Sequence, residues 1–449
     1  MAEPKRKKKT SAASVPASEL GSRETARADE PNPGLKFLRI LGPGIIVGAS
    51  DDDPSGIGTY AVAGAQFGYA TLWLAPITVP LMAAVQYISA KIGLTTGEDL
   101  AATLRRNYPH PVVITVATLL VAANAINAGA DIGAIAASLN LLVPKIPPAT
   151  LVIPIGAALL ALQIWGSYRT IAGIFKWLTL SLFAYVAAAF FAHPDWHAVL
   201  NATLIPHISF KSDYLMTLVA ILGTTISPYM LFWQAAQEVE EDKALGRAAL
   251  RQRRGTTKNE KRFALLDICV GMLFSNLVMY FIILTTGATL FVHGQHHIET
   301  AADAAKALVP FAGRWAEWLL AAGMIGAGAL AVPVLTASSA YALGGAFGWK
   351  VGLSEHPGRA PRFYWVIVLS TFVGVGMNFL GIKAVDALFW TAVINGFLAP
   401  VVLAVLMIVS GNRKIMGQST NGPVTSVLGW LTTGAMASAA IALVVFWGK

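Results

Sequence analysis

Charge is scarce in this 449-residue chain: Asp, Glu, Lys and Arg together make up 13% of it, about half the roughly 25% of an ordinary soluble protein. So few charges cannot cover a water-facing surface of that length. Cysteine is nearly absent. The single Cys269 excludes a disulfide scaffold, and its place inside an apolar run reads as a small core residue. Hydrophobic residues at 55% exclude disorder for most of the chain. The bilayer is the remaining solvent. The formal net charge of +9 does not point to nucleic acid, because the basic residues sit between long apolar runs rather than on one folded face. Enzyme motifs are missing as well: the chain has no P-loop, no Gly-x-Ser-x-Gly and no His/Cys metal motif. All eight histidines (110, 193, 197, 207, 293, 296, 297 and 356) fall in expected loops.

What is present is a series of long apolar segments. Residues 1–37 form a polar tail, expected to be disordered and cytoplasmic. Its Lys5-Arg6-Lys7-Lys8-Lys9 run has no apolar stretch immediately after it, so it is not a secretory signal. The run reads as a solvated topology determinant, with contact to anionic headgroups as the alternative. Eleven segments of spanning length, about 20 residues each, then lie near 38–66, 69–92, 111–143, 149–166, 170–192, 213–237, 262–292, 316–347, 361–381, 384–410 and 423–448. They should be helices, since a lone span must satisfy its own backbone hydrogen bonds. The short alternating segments of a β-barrel are absent. With the N-terminus inside, 27 of the 33 Lys and Arg residues fall on the inner side and six on the outer. That asymmetry supports the orientation, an odd number of spans and an external C-terminus.

Two spans are interrupted. The first contains Ala49-Ser50-Asp51-Asp52-Asp53-Pro54-Ser55-Gly56. Pro54 lacks an N–H and disfavours helix at Asp53, so two half-helices are expected, with unwound backbone over 53–56. Free carbonyls at that depth must line a protein cavity. A carboxylate there is costly unless paired or wetted, which makes Asp53 a functional candidate. Asp51 and Asp52 are open to two readings: hydrated at a membrane interface, or close to the site. The sixth span repeats the interruption at Gly223-Thr224-Thr225-Ile226-Ser227-Pro228-Tyr229. The two prolines are 174 residues apart, with five spans in each unit. Matching interruptions in two halves point to an inverted-repeat transporter whose site lies between the breaks.

These motifs resemble the Nramp family (natural resistance-associated macrophage proteins) of divalent-metal transporters. The resemblance covers most of the chain after residue 37. It rests on Gly42-Pro43-Gly44, on Asp53-Pro54, on Pro228 in its segment, on Ser138-Leu139-Asn140-Leu141-Leu142 and on Asn412-Arg413-Lys414-Ile415-Met416-Gly417. It implies the LeuT-type fold: all-α, eleven membrane helices, two inverted five-helix repeats (38–192 and 213–410) and an eleventh helix in 423–449. Carried over position by position, the family's metal-binding Asp is Asp53. Its Asn falls at Gly56, its Met at Ser227 and its Ala carbonyl at Thr224. Its span-ten Gln falls at Ala392 and its span-six His at Tyr229. The acidic pair of span three that accompanies proton coupling reads Ala128 and Asp131, so one carboxylate is missing.

The departures carry chemical meaning. A thioether favours softer ions over Mg²⁺, and Ser227 replaces it with a hard oxygen. Gly56 deletes a ligand and should enlarge the cavity. One firm carboxylate, backbone carbonyls and room for water suit a partly hydrated Mg²⁺. Thr224, Thr225 and Ser227 could hydrogen-bond its water shell. Ser55, Asp52, Tyr229, Asn127 and Ala392 are further candidates for the vestibule or hydration shell. Asn124 and Gln234 could serve there or as helix–helix glue. The pattern looks like the Nramp-related magnesium transporters, a branch that carries Mg²⁺ and also Mn²⁺ without proton coupling. The lack of histidine in any span agrees with that. Asp131 could titrate, or could be a buried hydrogen-bonded acid. His293, His296 and His297 resemble a metal-capture cluster, with a plain hydrated loop as the simpler reading.

The expectation is therefore a secondary transporter in the cell (inner or plasma) membrane, not an enzyme. The metal is its substrate, no cofactor is needed, and its partners are divalent ions and lipid, with no nucleic acid and no obligate protein partner. A proton-coupled Mn²⁺/Fe²⁺ importer is the first alternative. A non-transporting membrane sensor is the second; the lack of a soluble output domain before Lys449 weighs against it.

Overall fold

A computed structural model of the chain describes residues 47–48, 50–166, 180–247, 249–298 and 300–447. The expected disordered tail (1–37), the start of the first span and residues 167–179 of the fifth lie outside the described residues. Among those described the chain is helical, with no strand. Eight helices are long and apolar enough to cross a membrane, and two shorter apolar ones, Ser181–Phe191 and Pro361–Met377, accompany them.

In chain order the main helices are α1 Pro54–Phe67, α2 Leu74–Thr96, α3 Leu100–Asn107, α4 His110–Leu142, α5 Pro148–Trp165, α6 Ala184–Phe191 and α7 Trp196–Leu204. Then follow α8 Ser212–Thr225, α9 Pro228–Ala244, α10 Lys258–Thr286, α11 Ala316–Phe347, α12 Pro361–Met377, α13 Ala384–Gly411 and α14 Pro423–Val445. Several differ from expectation for a local reason. The second span starts at Leu74 rather than 69, because Gly68 (φ 58°) ends α1 in a left-handed residue and short turns occupy the next few positions. The short helices α3 and α7 were not expected; each is capped by an aspartate, Asp99 and Asp195. His110 and His197 consequently sit at exposed helix starts rather than in loops.

The first break is shorter than expected and lies earlier. Helical backbone runs through Asp51, only Asp52 and Asp53 are non-helical, and Pro54 opens α1. Proline at the first helical position loses nothing, since that N–H has no partner anyway. Asp53 then caps the helix through the Gly56 N–H, so Ser55 and Gly56 are helical rather than unwound. The second break behaves alike: α8 ends at Thr225, Ile226 and Ser227 are extended or irregular, and Pro228 opens α9.

The bundle is built on α4 against α11, α8 against α13, and α10 along α2 and α1. Both broken helices pack backbone to backbone on a neighbour. A β-carbon on Gly64 of α1 would lie 2.0 Å from Thr286 Oγ1 and 2.4 Å from the Ile283 carbonyl oxygen. One on Gly223 of α8 would lie 2.1 Å from the Ala392 carbonyl oxygen of α13. Small residues allow this close approach where no hydrophobic force drives helices together.

Candidate functional site

Asp53 is 1% exposed and lies where the two breaks meet. Oδ1 accepts from Ser55 Oγ at 2.6 Å and from the Gly56 N–H at 2.7 Å. Oδ2 accepts from Asn127 Nδ2 of α4 and from Tyr229 Oη of α9, each at 3.3 Å. The Ser55 hydroxyl is also 3.3 Å from Thr224 Oγ1, the last turn of α8. Three elements therefore converge on one carboxylate. Donors reach both oxygens, and the positive dipole end of the α1 N-terminus lies at the same carboxylate.

Beneath it, Asp51 and Asp52 are fully buried and share one hydroxyl. Ser275 Oγ of α10 lies 2.6 Å from Asp51 Oδ2 and 3.2 Å from Asp52 Oδ1. Both are thus closed off from bulk solvent. Asp131 of α4 is buried close to Asp53 and to the Ser55 backbone, and neither of its oxygens meets a donor in hydrogen-bond geometry. On the other side, a cavity of about 610 Å³ reaches Ile57, one turn of α1 from Asp53. Its wall is mostly apolar, with Leu388 and Met324 facing Ala61 and Ala134, and Lys383 is its one charged residue.

A family profile, natural resistance-associated macrophage protein-like, matches residues 44–446. The chain belongs to the Nramp family. The divalent metal cation transporter MntH of Bacillus subtilis (strain 168) is 27% identical over 421 residues, covering 91% of this chain and 92% of that protein. The MntH of Yersinia pestis (strain Pestoides F) is 27% identical over 405 residues, covering 88% and 91%. A manganese transporter of Eremococcus coleocola superposes with a TM-score of 0.70 at 20% identity, over 93% of this chain and 88% of that one. Mhp1, a nucleobase-cation-symport-1 family transporter, gives a TM-score of 0.56 at 12% identity, over 90% and 91%. At those identities the structural likenesses speak for the fold alone, and that fold is the LeuT type with its two broken helices. This Nramp chain is a membrane transporter and not an enzyme.

The positions singled out in the sequence fall around Asp53 to different degrees. Ser55, Asn127, Thr224 and Tyr229 join it directly or through one hydrogen bond. Ser227 is buried on the second break, but its hydroxyl donates to the Thr224 carbonyl at 2.6 Å and the Gly223 carbonyl at 3.1 Å. Its proton is therefore committed to the α8 end, and its lone pairs are what it has to offer. Thr225 likewise donates back to the Ile221 carbonyl, so its hydroxyl proton is unavailable for a water shell. Gly56 does not open the expected extra room: a β-carbon there would already meet Thr224 Oγ1 at 3.2 Å and Tyr60 Cε2 at 3.3 Å. Ala392 is buried with its carbonyl against Gly223, beside the second break.

The histidines of the loop after α10 do not form a metal cluster. His293 Nδ1 is 2.5 Å from the Thr289 carbonyl and His296 Nδ1 is 3.2 Å from the Ala65 carbonyl. No group of three or more His, Cys, Asp or Glu side chains among the described residues has the geometry to hold a metal ion. Asn124 is helix–helix glue, bonded to Leu335 and Ser339 of α11. Gln234 donates to Glu238 one turn on, at 3.0 Å. Sequence reasoning missed Ser275 and Tyr60, since a lone serine in an apolar helix and a tyrosine two turns beyond a break carry no distinctive spacing.

Proposed function

We propose that this chain carries divalent metal ions by alternating access, taking partly hydrated Mg²⁺ and also Mn²⁺ at Asp53, without obligatory proton coupling. The observation that carries the reading is the chemistry around Asp53: a carboxylate among hydroxyl, amide and carbonyl groups from Ser55, Asn127, Thr224, Ser227 and Tyr229. All are hard donors, and neither a thioether nor an imidazole replaces them at 227 or 229. Mg²⁺ keeps several waters and binds through one or two carboxylates, which suits one acid among hydrogen-bonding groups. Soft sulfur is what would favour a transition metal. The metal relatives of the family support the class of substrate.

The membrane reading follows from the Lys and Arg asymmetry. The N-terminus is cytoplasmic, the C-terminus external, and the chain sits in the cell membrane. The cavity at Ile57 is then the outer vestibule. Repeats 38–192 and 213–410 rock against each other around Asp53, with 423–449 outside them.

Reconstituted protein tests the site. Wild-type proteoliposomes should take up Mg²⁺ and Mn²⁺ saturably, each competing with the other. Asp53→Ala should take up neither while melting as the wild type does. Normal flux in that variant would remove Asp53 from the site. The competing reading, a proton-coupled Mn²⁺/Fe²⁺ importer, has one observation in its favour, the buried Asp131 close to Asp53. It requires uptake that vanishes without a proton gradient.

A further inference from the structure

One polar side chain in α13 is buried without hydrogen bonds. Asn395 is 1% exposed, and neither its amide oxygen nor its amide nitrogen has a hydrogen-bond partner among the described residues. An amide buried in this way requires a reason, and its surroundings supply one. α13 crosses both broken helices. Leu388 faces Gly58 of α1, its Cδ1 3.2 Å from where a β-carbon on that glycine would sit. Asn395 is seven residues further on, so it lies on the same face of α13, two turns deeper. That displacement is about 10 Å, while Asp53 is about 7 to 8 Å below Gly58 along α1. The second tie is independent of the first. Ala392 and Gly396, on either side of Asn395, press on Gly223, the residue before Thr224. The Thr224 hydroxyl is 3.3 Å from Ser55, which holds Asp53.

Resting on the functional reading above, we propose that Asn395 is a substrate-facing residue of the ion site, whose amide oxygen accepts hydrogen bonds from the waters of a hydrated divalent cation. The amide adds a hard, neutral acceptor from a further wall of the site. It does so where Gly56 and Ala392 carry no ligating side chain. An acceptor for bound water helps an ion that retains its shell more than one that sheds it, so the residue sets preference as well as affinity.

The test is uptake kinetics in proteoliposomes for Mg²⁺ and Mn²⁺ separately, with melting temperature measured alongside. Asn395→Leu keeps the shape and removes the amide. It should raise the KM for Mg²⁺ about three- to tenfold, the loss of roughly one hydrogen bond, with a smaller rise for Mn²⁺ and an unchanged Vmax. Asn395→Asp keeps an oxygen in place and adds charge, and should lower KM for both ions. Wild-type KM values in Asn395→Leu, or a lower Vmax at unchanged KM, would overturn the proposal in favour of a structural residue. Should Asn395→Leu fail to fold, Asn395→Asp decides alone: an unchanged KM contradicts the proposal. If wild-type protein shows no saturable Mg²⁺ entry, the Mg²⁺ reading fails by itself, and the KM for Mn²⁺ still decides the role of Asn395.

Discussion

Asp53 is a carboxylate whose every hydrogen-bond partner is a donor: Ser55 and the Gly56 N–H on one oxygen, Asn127 and Tyr229 on the other. These donors fix the position of the carboxylate, which suits a cation site in a membrane. Tyr229→Phe removes one of the four donors, so it should weaken Mg²⁺ binding by about three- to tenfold in KM and leave the fold intact; uptake kinetics check this. Ser227→Met restores a soft ligand at the second break. It should shift preference toward Mn²⁺ or Cd²⁺ and lower Mg²⁺ flux in competition assays, and unchanged selectivity would count against the role of position 227. Asp53 was legible because a carboxylate beside proline in an apolar run is too costly to persist at membrane depth without a task. The partners were less so. Tyr229 and Asn127 could be named as neighbours, but which oxygen each holds depends on the packing of α4 and α9. Ser275, which joins Asp51 and Asp52, is more than two hundred residues away along the chain and was invisible.

Each broken helix is set by one proline and one close glycine. The prolines marked the breaks in advance, but the breaks are short because Pro54 and Pro228 begin helices rather than interrupt them. Periodicity alone does not reveal that difference. Nor did it reveal the glycine contacts, which depend on the partner helix. Gly64→Ala would drive a β-carbon to 2.0 Å from Thr286 Oγ1 and 2.4 Å from the Ile283 carbonyl. It should destabilise the protein by about 1–3 kcal/mol in thermal or chemical unfolding. Gly376→Ala in α12, with nothing within 4 Å of the added carbon, serves as the control and should be neutral or slightly stabilising. At the end of α2, Asp99 caps α3 through the Ala102 N–H at 2.8 Å, and burial raises its carboxyl from an ordinary 3.8 to about 6. A proton bound more tightly in the folded state stabilises at low pH, and that contribution is lost as pH rises through about 6. The wild type should therefore melt at a lower temperature at pH 7 than at pH 5. Asn at 99 keeps a capping oxygen and cannot ionise, so Asp99→Asn should flatten that dependence. An equal slope in both proteins would contradict it.

At the scale of the whole molecule, composition alone assigned the chain to the bilayer, and the all-helical bundle and the family bear this out. Span positions were legible to within a few residues wherever an apolar run was long. The short helices α3 and α7 were not, because neither carries an apolar run of spanning length. The scarcity that first excluded a soluble protein also frames the mechanism. Around Asp53 there is hard oxygen chemistry and three further buried acids, Asp51, Asp52 and Asp131, with no imidazole at position 229. Proton relays through membranes are built from carboxylates and histidines, and on the proposed reading this chain moves its ion without one. Proteoliposomes loaded with an impermeant Mg²⁺ dye and a pH dye measure both fluxes at once. Saturable Mg²⁺ entry with no accompanying acidification, at the same rate with or without a proton gradient, is the result predicted. Mg²⁺ exclusion, or entry that acidifies the lumen and stops when the gradient is removed, would contradict it.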